Sequence, residues 1–213
     1  MKNLFVAVFS ICTLFIYSQG STTKSAWSEK LYDKYTHTTF TQYKPFQETV
    51  NVKAIDYPLL HAAIFYLTNI ERTKKRRNIV EWNLNLEIAS YHHSKAMVEA
   101  NFFSHRSNLK KRTDTDDRAK LAGISNPFIA ENIAKSFINE NDTYLSLSKR
   151  VIEQWMNSSG HKANILSKEA LELGVGLYYK KIGQFDYVFA TQNFQWYELV
   201  KSITSKDPLP MGW

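Results

Sequence analysis

A two-residue alternation near the C-terminal end, preceded by several segments of helical period, constrains this chain more than any other feature. Val175, Leu177 and Tyr179 alternate with polar or small residues, Gly183-Gln184 marks a turn, and Phe185, Tyr187, Phe189 and Thr191 alternate again. This is the pattern of a hairpin with one face on a core. Upstream, Pro58 suits the first turn of a helix, and Leu60, Ala63, Ile64, Leu67 and Ile70 follow at helical spacing until the basic run 74–77 ends it. A second helix is expected over 86–100, with Leu86, Ala89, His93, Ala96 and Met97 on one face. A short third helix over 115–122 stops at Gly123. An extended segment over 127–134 and a fourth helix over 143–157 follow, the latter with Leu147, Val151 and Trp155 in one row. Ser158-Ser159-Gly160 then reads as a turn leading into His161. Helices that precede a hairpin within one domain predict an α+β fold with helices packed on a sheet.

The ends are of a different character. Lys2 followed by a nearly unbroken apolar run to Tyr17, then Ser18-Gln19-Gly20, reads as a secretory signal over 1–20. No later stretch approaches the ~20 apolar residues of a membrane span. The expectation is a protein secreted or held at the cell envelope, with no stable transmembrane segment after cleavage. Residues 21–55 read as an N-terminal extension that packs through Trp27, Tyr32, Tyr35, Phe40 and Phe46. The domain is assigned to 56–197 and a tail to 198–213.

The only cysteine, Cys12, lies inside the signal segment. A mature chain without cysteine has no disulfides, no thiolate catalysis and no Cys-based zinc site. It must be held by its core alone, for which its length suffices. The formal charge is +7, concentrated in 74–77 and 110–112. Such runs attract anionic polymers or headgroups, but the favoured reading is solvated loops at helix ends, where cations also offset the dipole. No fold motif or arginine–aromatic pattern supports nucleic-acid binding, and none is expected.

Candidate chemistry lies in three segments. His105 closes Phe102-Phe103-Ser104-His105, Glu131 stands in Ala130-Glu131-Asn132-Ile133-Ala134, and His161 lies within 155–166 in Ser159-Gly160-His161-Lys162-Ala163-Asn164. Imidazole and carboxylate ligate borderline metals such as zinc and serve as acids and bases near neutral pH. His92 and His93 are sequence neighbours, so on a helix they diverge and cannot chelate together. His93 reads instead as a hydrogen-bonded, partly buried residue. Asn132 and Asn164 read as partners for buried backbone groups, and Gln192 and Asn193 as either the same or as lining of the site. No Gly-x-Ser-x-Gly elbow supports Ser158 or Ser159 as a nucleophile.

The order of these segments resembles the CAP superfamily, in particular its bacterial SCP-like extracellular proteins. The resemblance rests on Asn69-Ile70-Glu71-Arg72, the segment ending at His105, Glu131-Asn132-Ile133, Trp155 with Gly160-His161 and Asn164-Ile165-Leu166, Gly174-Val175-Gly176, and Ala190-Thr191-Gln192-Asn193-Phe194, and covers roughly 57–196. It implies a three-layer α-β-α sandwich with a short antiparallel sheet. It also implies a cleft in which His105, Glu131 and His161 form a ligand-binding set for a divalent metal, zinc being the natural occupant. Ser158 stands where animal and plant members carry a second acid, which weakens any two-carboxylate mechanism.

Three functions follow as expectations. The first is an extracellular binding module whose cleft holds a metal or small polar ligand. The second is a metal-dependent hydrolase of peptide or ester bonds. The third is a structural interaction domain. Partners of the corresponding kinds are a lipid, a small ligand, or an envelope or extracellular protein.

Overall fold

A computed structural model of the chain describes residues 24–196; the signal segment 1–20 and the tail 198–213 lie outside the described residues. The N-terminal part holds α1 (Lys30–Lys34) and two 3₁₀ turns, Phe40–Gln42 and Lys44–Gln47. Then come α2 (Tyr57–Lys74), β1 (Glu81–Trp82), α3 (Leu84–Glu99), α4 (Thr115–Leu121), β2 (Ile129–Ile138), α5 (Tyr144–Met156), α6 (Ser159–Ile165), β3 (Ala170–Ile182) and β4 (Phe185–Trp196).

The expected hairpin is β3–β4, closing with Ile182 opposite Phe185 around Gly183, whose φ of 61° suits a residue without a Cβ. β2 pairs antiparallel on the far side of β4, and β1 adds a short parallel edge to β3, giving the order β1-β3-β4-β2. The antiparallel strands are 10, 13 and 12 residues long, so the sheet is longer than expected. β2 runs four residues past the predicted end. β1 and α6 were not anticipated; the segment carrying His161 is a helix rather than the end of a turn. Two residues of strand and seven of helix are too short to show a period.

The helix starts follow from side-chain caps. The Asp56 carboxylate accepts from Leu59 N at 3.2 Å ahead of α2, and Asn83 Oδ1 accepts from Leu86 N at 3.1 Å ahead of α3. Helix α2 is buried on almost every side from Leu59 to Asn69, because two partners cover it. One is the sheet with α5; Val175, Leu177, Leu147 and Val151 belong to the same core as Leu60 and Ile64. The other is the N-terminal extension. The Trp27 ring lies 5.3–6.1 Å from those of Tyr32, Tyr35, Tyr43, Phe46 and Tyr66, and Trp27, Phe40 and Phe46 are buried in that core. Each such ring contributes roughly 2–3 kcal/mol of gross burial energy, so the extension packs as the sequence suggests.

Beyond β1 the edge of β3 is open, and α2 closes it. Leu177 N donates to His61 Nε2 at 3.0 Å, and Tyr179 N donates to the Tyr57 hydroxyl at 3.2 Å. With Nε2 accepting, the His61 proton is on Nδ1, which donates to buried Glu87 Oε1 at 2.9 Å. The other Glu87 oxygen accepts from Trp82 Nε1 at 2.7 Å. One carboxylate thus ties α2, α3 and the chain at β1 together.

On the opposite face α3 lies flush against β3 at Gly174 and Gly176. Ser90 and Ser94, one helical turn apart, donate to the carbonyls of those glycines at 3.1 and 2.8 Å. This fixes α3 along the sheet and sets where its C-terminal end delivers the chain toward His105. Among the described residues no helix is long and apolar enough to cross a membrane.

Candidate functional site

β2 presents Glu131 on the face that looks toward α3 and α4, beside its cross-strand neighbour Asn193. Helix α3 ends at Glu99; Asn101 just beyond it has a φ of 53°, the left-handed conformation asparagine tolerates, and the chain turns so that Phe102 N bonds Met97 O at 3.0 Å. Three residues later His105 reaches back to the strand, donating from Nδ1 to Glu131 Oε1 at 2.9 Å. The His105 side chain is 52% exposed and that of Glu131 only 2%. The imidazole therefore stands at the mouth and the carboxylate at the floor, and Nε2 is directed away from the carboxylate by the geometry of the ring.

His161 arrives on α6, and two asparagines hold that helix to the strand. Asn132 Nδ2 donates to His161 O at 3.1 Å, and Asn164 Nδ2 donates to Asn132 Oδ1 at 2.9 Å and Glu131 O at 3.3 Å. Gln192 Oε1 accepts from Asn132 Nδ2, and Gln192 Nε2 donates to Thr68 Oγ1 at 2.7 Å. Asn132 and Asn164 thus satisfy buried backbone groups, as expected, while Gln192 bonds the side chains of Asn132 and Thr68. The His161 ring is held below its ordinary pKa first by burial and then by the charge of His105 nearby. The structure thus brings all three expected residues into one region.

Two further residues belong to it: Arg118, which sequence reasoning passed over, and His93, which it read as a hydrogen-bonded, partly buried residue without placing it here. Arg118, on α4 and 5% exposed, donates from Nη2 to Glu131 Oε2 at 2.7 Å, while Nη1 bonds Thr113 O at 3.1 Å. His93 is fully buried, with Nε2 3.7 Å from Glu131 Oε1 and donating to Ser104 O at 3.1 Å. Both Glu131 oxygens are thereby engaged, one by His105 and one by Arg118. Among the described residues no three His, Cys, Asp or Glu side chains converge in a way that would enclose a metal ion. Any metal here would meet His105 Nε2 and the His161 ring, with Glu131 behind the first ring. Asn193 lies fully buried beside Glu131, with neither amide atom hydrogen-bonded among the described residues.

No sequence signal marked Arg118, one cation among many on a short helix. His93 was recognisable as an inward-facing histidine but not as a neighbour of Glu131, since that proximity depends on how α3 crosses the sheet. Its environment predicts a pH response. Burial is the main cause that pushes His93 down to about 4, and Nδ1 has no hydrogen-bond partner among the described residues. A folded value below the unfolded 6.5 gives stability that is whole above pH 6.5 and lost as pH falls toward 4, in total about 3 kcal/mol. Urea melts at pH 7 and pH 4.5 should therefore show wild type losing about 2 kcal/mol more than His93→Gln. Equal losses would contradict this placement of His93.

Comparison with known proteins agrees with the geometry. The profile of the CAP family, the cysteine-rich secretory proteins, matches residues 65–194, a range that holds every residue of the site and excludes Cys12. The chain is 31% identical over 131 residues to the uncharacterized membrane protein YlbC of Bacillus subtilis, covering 62% of this chain and 33% of that protein. It is 33% identical over 110 residues to the uncharacterized protein YkwD of the same organism, covering 52% and 39%. The chain thus spans little more than a third of the length of these relatives. Among solved structures, an extracellular protein of Bacillus anthracis containing an SCP domain superposes with a TM-score of 0.56 at 29% identity, covering 67% of this chain and 42% of that one. An outer surface protein of Borrelia burgdorferi shares the fold with a TM-score of 0.50 at 18% identity, covering 64% and 92%. With the helix–sheet–helix layering and a family match over residues 65–194, this chain belongs to the CAP family.

Proposed function

We propose that this protein is an extracytoplasmic CAP binding module whose histidine cleft takes a divalent metal such as zinc, with His105 and His161 as its protein donors. The observation that carries the reading is the His105 Nδ1–Glu131 Oε1 bond at 2.9 Å. A carboxylate on one ring nitrogen fixes the tautomer and leaves the other nitrogen as the ligand, the usual support for metal-bound histidine. When bound, zinc supplies a Lewis-acidic centre with positions open to a small polar ligand. Placement outside the cytoplasm is supported by the apolar leader at 1–20 and by the extracellular protein whose SCP domain this chain resembles. Small ligands, lipids and extracellular proteins are the partner classes for such a module.

Binding is favoured over hydrolysis because of how Glu131 is engaged. A hydrolase needs a base with a free oxygen facing the substrate, whereas Glu131 has one oxygen on His105 and the other on Arg118. Calorimetric titration of zinc into chelator-stripped protein tests the reading. The expected result is one site of micromolar affinity or better, lost in the His105→Ala/His161→Ala variant. Glu131→Gln is expected to weaken it by about 10- to 100-fold. No heat, with no change in melting temperature, would refute the metal reading and leave the histidines as a structural cluster.

A further inference from the structure

Adjoining the histidine site through Arg118, α3 and α4 flank a pocket of about 280 Å³, close to the lower end of the roughly 300–1,000 Å³ usual for small-ligand sites. Ile88, Ala89, Ala96, Leu121 and Ala122 make its apolar wall; His92, Ser107, Arg112 and Arg118 make the polar part. Leu121 is 61% exposed beside it. A second hollow of about 230 Å³ shares His92, Ala96 and Arg112 and continues toward Lys95 and Glu99.

The charge around this space is unbalanced. Lys95 pairs with Glu99, and Arg118 with Glu131. Arg112 makes no ion pair among the described residues. Arg118 carries a buried Nε–H that has no acceptor among the described residues. Burial, then Arg112 and Lys95, hold the neighbouring His92 below its ordinary pKa, so the rim is cationic. An apolar wall excludes a bare inorganic anion as the natural occupant, and two guanidinium groups exclude a purely apolar one. Guanidinium pairs with carboxylate through charge-assisted hydrogen bonds, which are stronger than neutral ones.

We propose that the pocket between α3 and α4 binds an organic carboxylate with a short apolar body, the carboxylate received by Arg112 and Arg118 and the body by Ile88, Ala89, Ala96 and Leu121. The same chemistry is offered by a free alkyl acid and by the carboxyl end of a peptide with an apolar last residue. Octanoate and N-acetyl-leucine represent these two sources, and octanol is the uncharged control.

Calorimetric titration of each probe into the purified protein tests the site. At least one carboxylate should bind saturably and about tenfold more tightly than octanol. Arg112→Gln, at an exposed position, should remove most of that preference while leaving the thermal melt unchanged. Ala96→Phe should fill the pocket and abolish binding; if it does not fold, Arg112→Gln carries the test. The His105→Ala/His161→Ala variant should bind as wild type does. Tighter octanoate would assign the site to alkyl acids, and tighter N-acetyl-leucine to peptide ends. Absence of saturation at several millimolar, equal binding of octanol, indifference to Arg112→Gln, or loss in the double histidine variant would each overturn the proposal.

Discussion

Gly176→Ala is expected to destabilise the protein by at least about 3 kcal/mol, enough to remove much of a domain's net stability. A Cβ built on Gly176 lies 2.0 Å from Tyr91 N, 2.3 Å from Tyr91 Cα and 2.4 Å from Ser90 C. These are backbone atoms of α3, so no side chain can rotate away; the helix itself must lift from the sheet. Lifting it also breaks the Ser94 bond to Gly176 O at 2.8 Å and the bond between Ser94 and Thr191. Gly174→Ala should behave in the same way, since its Cβ would stand 2.0 Å from Glu87 N. Gly160, where an added Cβ meets nothing within 4 Å, is the control, and Gly160→Ala should change stability by less than about 1 kcal/mol. Chemical denaturation of the three variants decides the matter. A mild effect at Gly176, close to that at Gly160, would show that α3 does not lie flush on β3.

Arg72→Lys should be the second large effect, although it keeps the charge. Arg72 is fully buried, and among the described residues it pairs with no carboxylate and bonds only backbone carbonyls. Nε donates to Asn78 O at 2.7 Å, Nη1 to Ile165 O at 2.7 Å and Ser167 O at 2.9 Å, and Nη2 to Ala170 O at 3.3 Å. Arg77 adds a bond from its Nε to Leu166 O at 2.9 Å. Carbonyls at the C-terminal end of α6 are those a helix leaves unpaired, and the negative end of its dipole favours a cation there. Burial lowers the guanidinium to about 10, so it still carries its charge at neutral pH. An ammonium has three donors from a single point and cannot span the same acceptors. Each carbonyl left unbonded costs about 1–3 kcal/mol, and a total loss of about 2–4 kcal/mol is expected. Because α6 carries His161, zinc binding should weaken in Arg72→Lys as well. A stability change below about 1 kcal/mol would show that the fork geometry is not what holds α6.

The helices with a caps-and-core pattern were legible: α2 begins at Tyr57, one residue before the expected Pro58, and α5 at Tyr144, one residue after the expected Thr143, because one polar residue caps each and its apolar positions recur regularly. The three candidate residues could be singled out in the sequence because they sit in short, chemically unusual segments. The remainder of the site was hidden for a physical reason. Arg118 and His93 acquire their roles from Glu131, which lies 13 and 38 positions away in the sequence, and only the crossing of α3 and α4 over β2 makes them neighbours. The far end of β2 was hidden because Lys135 and Phe137 alternate with Ser136 and Ile138, mixing polar and apolar groups on both faces. Glu87 and His61 read as ordinary members of helices; their pairing appears only when α2 and α3 meet at opposite faces of the β3 edge.

The central claim is that His105 and His161 together form a metal-binding cleft, with Glu131 behind the first ring. Long-range ¹H–¹⁵N correlation spectra of the six imidazoles, recorded before and after adding zinc, test it atom by atom. The predicted result is His105 protonated on Nδ1 without metal, followed by coupled shifts of His105 Nε2 and one His161 ring nitrogen on saturation, while buried His61 and His93 stay unmoved. Shifts confined to other histidines, or none at saturating zinc, would contradict it.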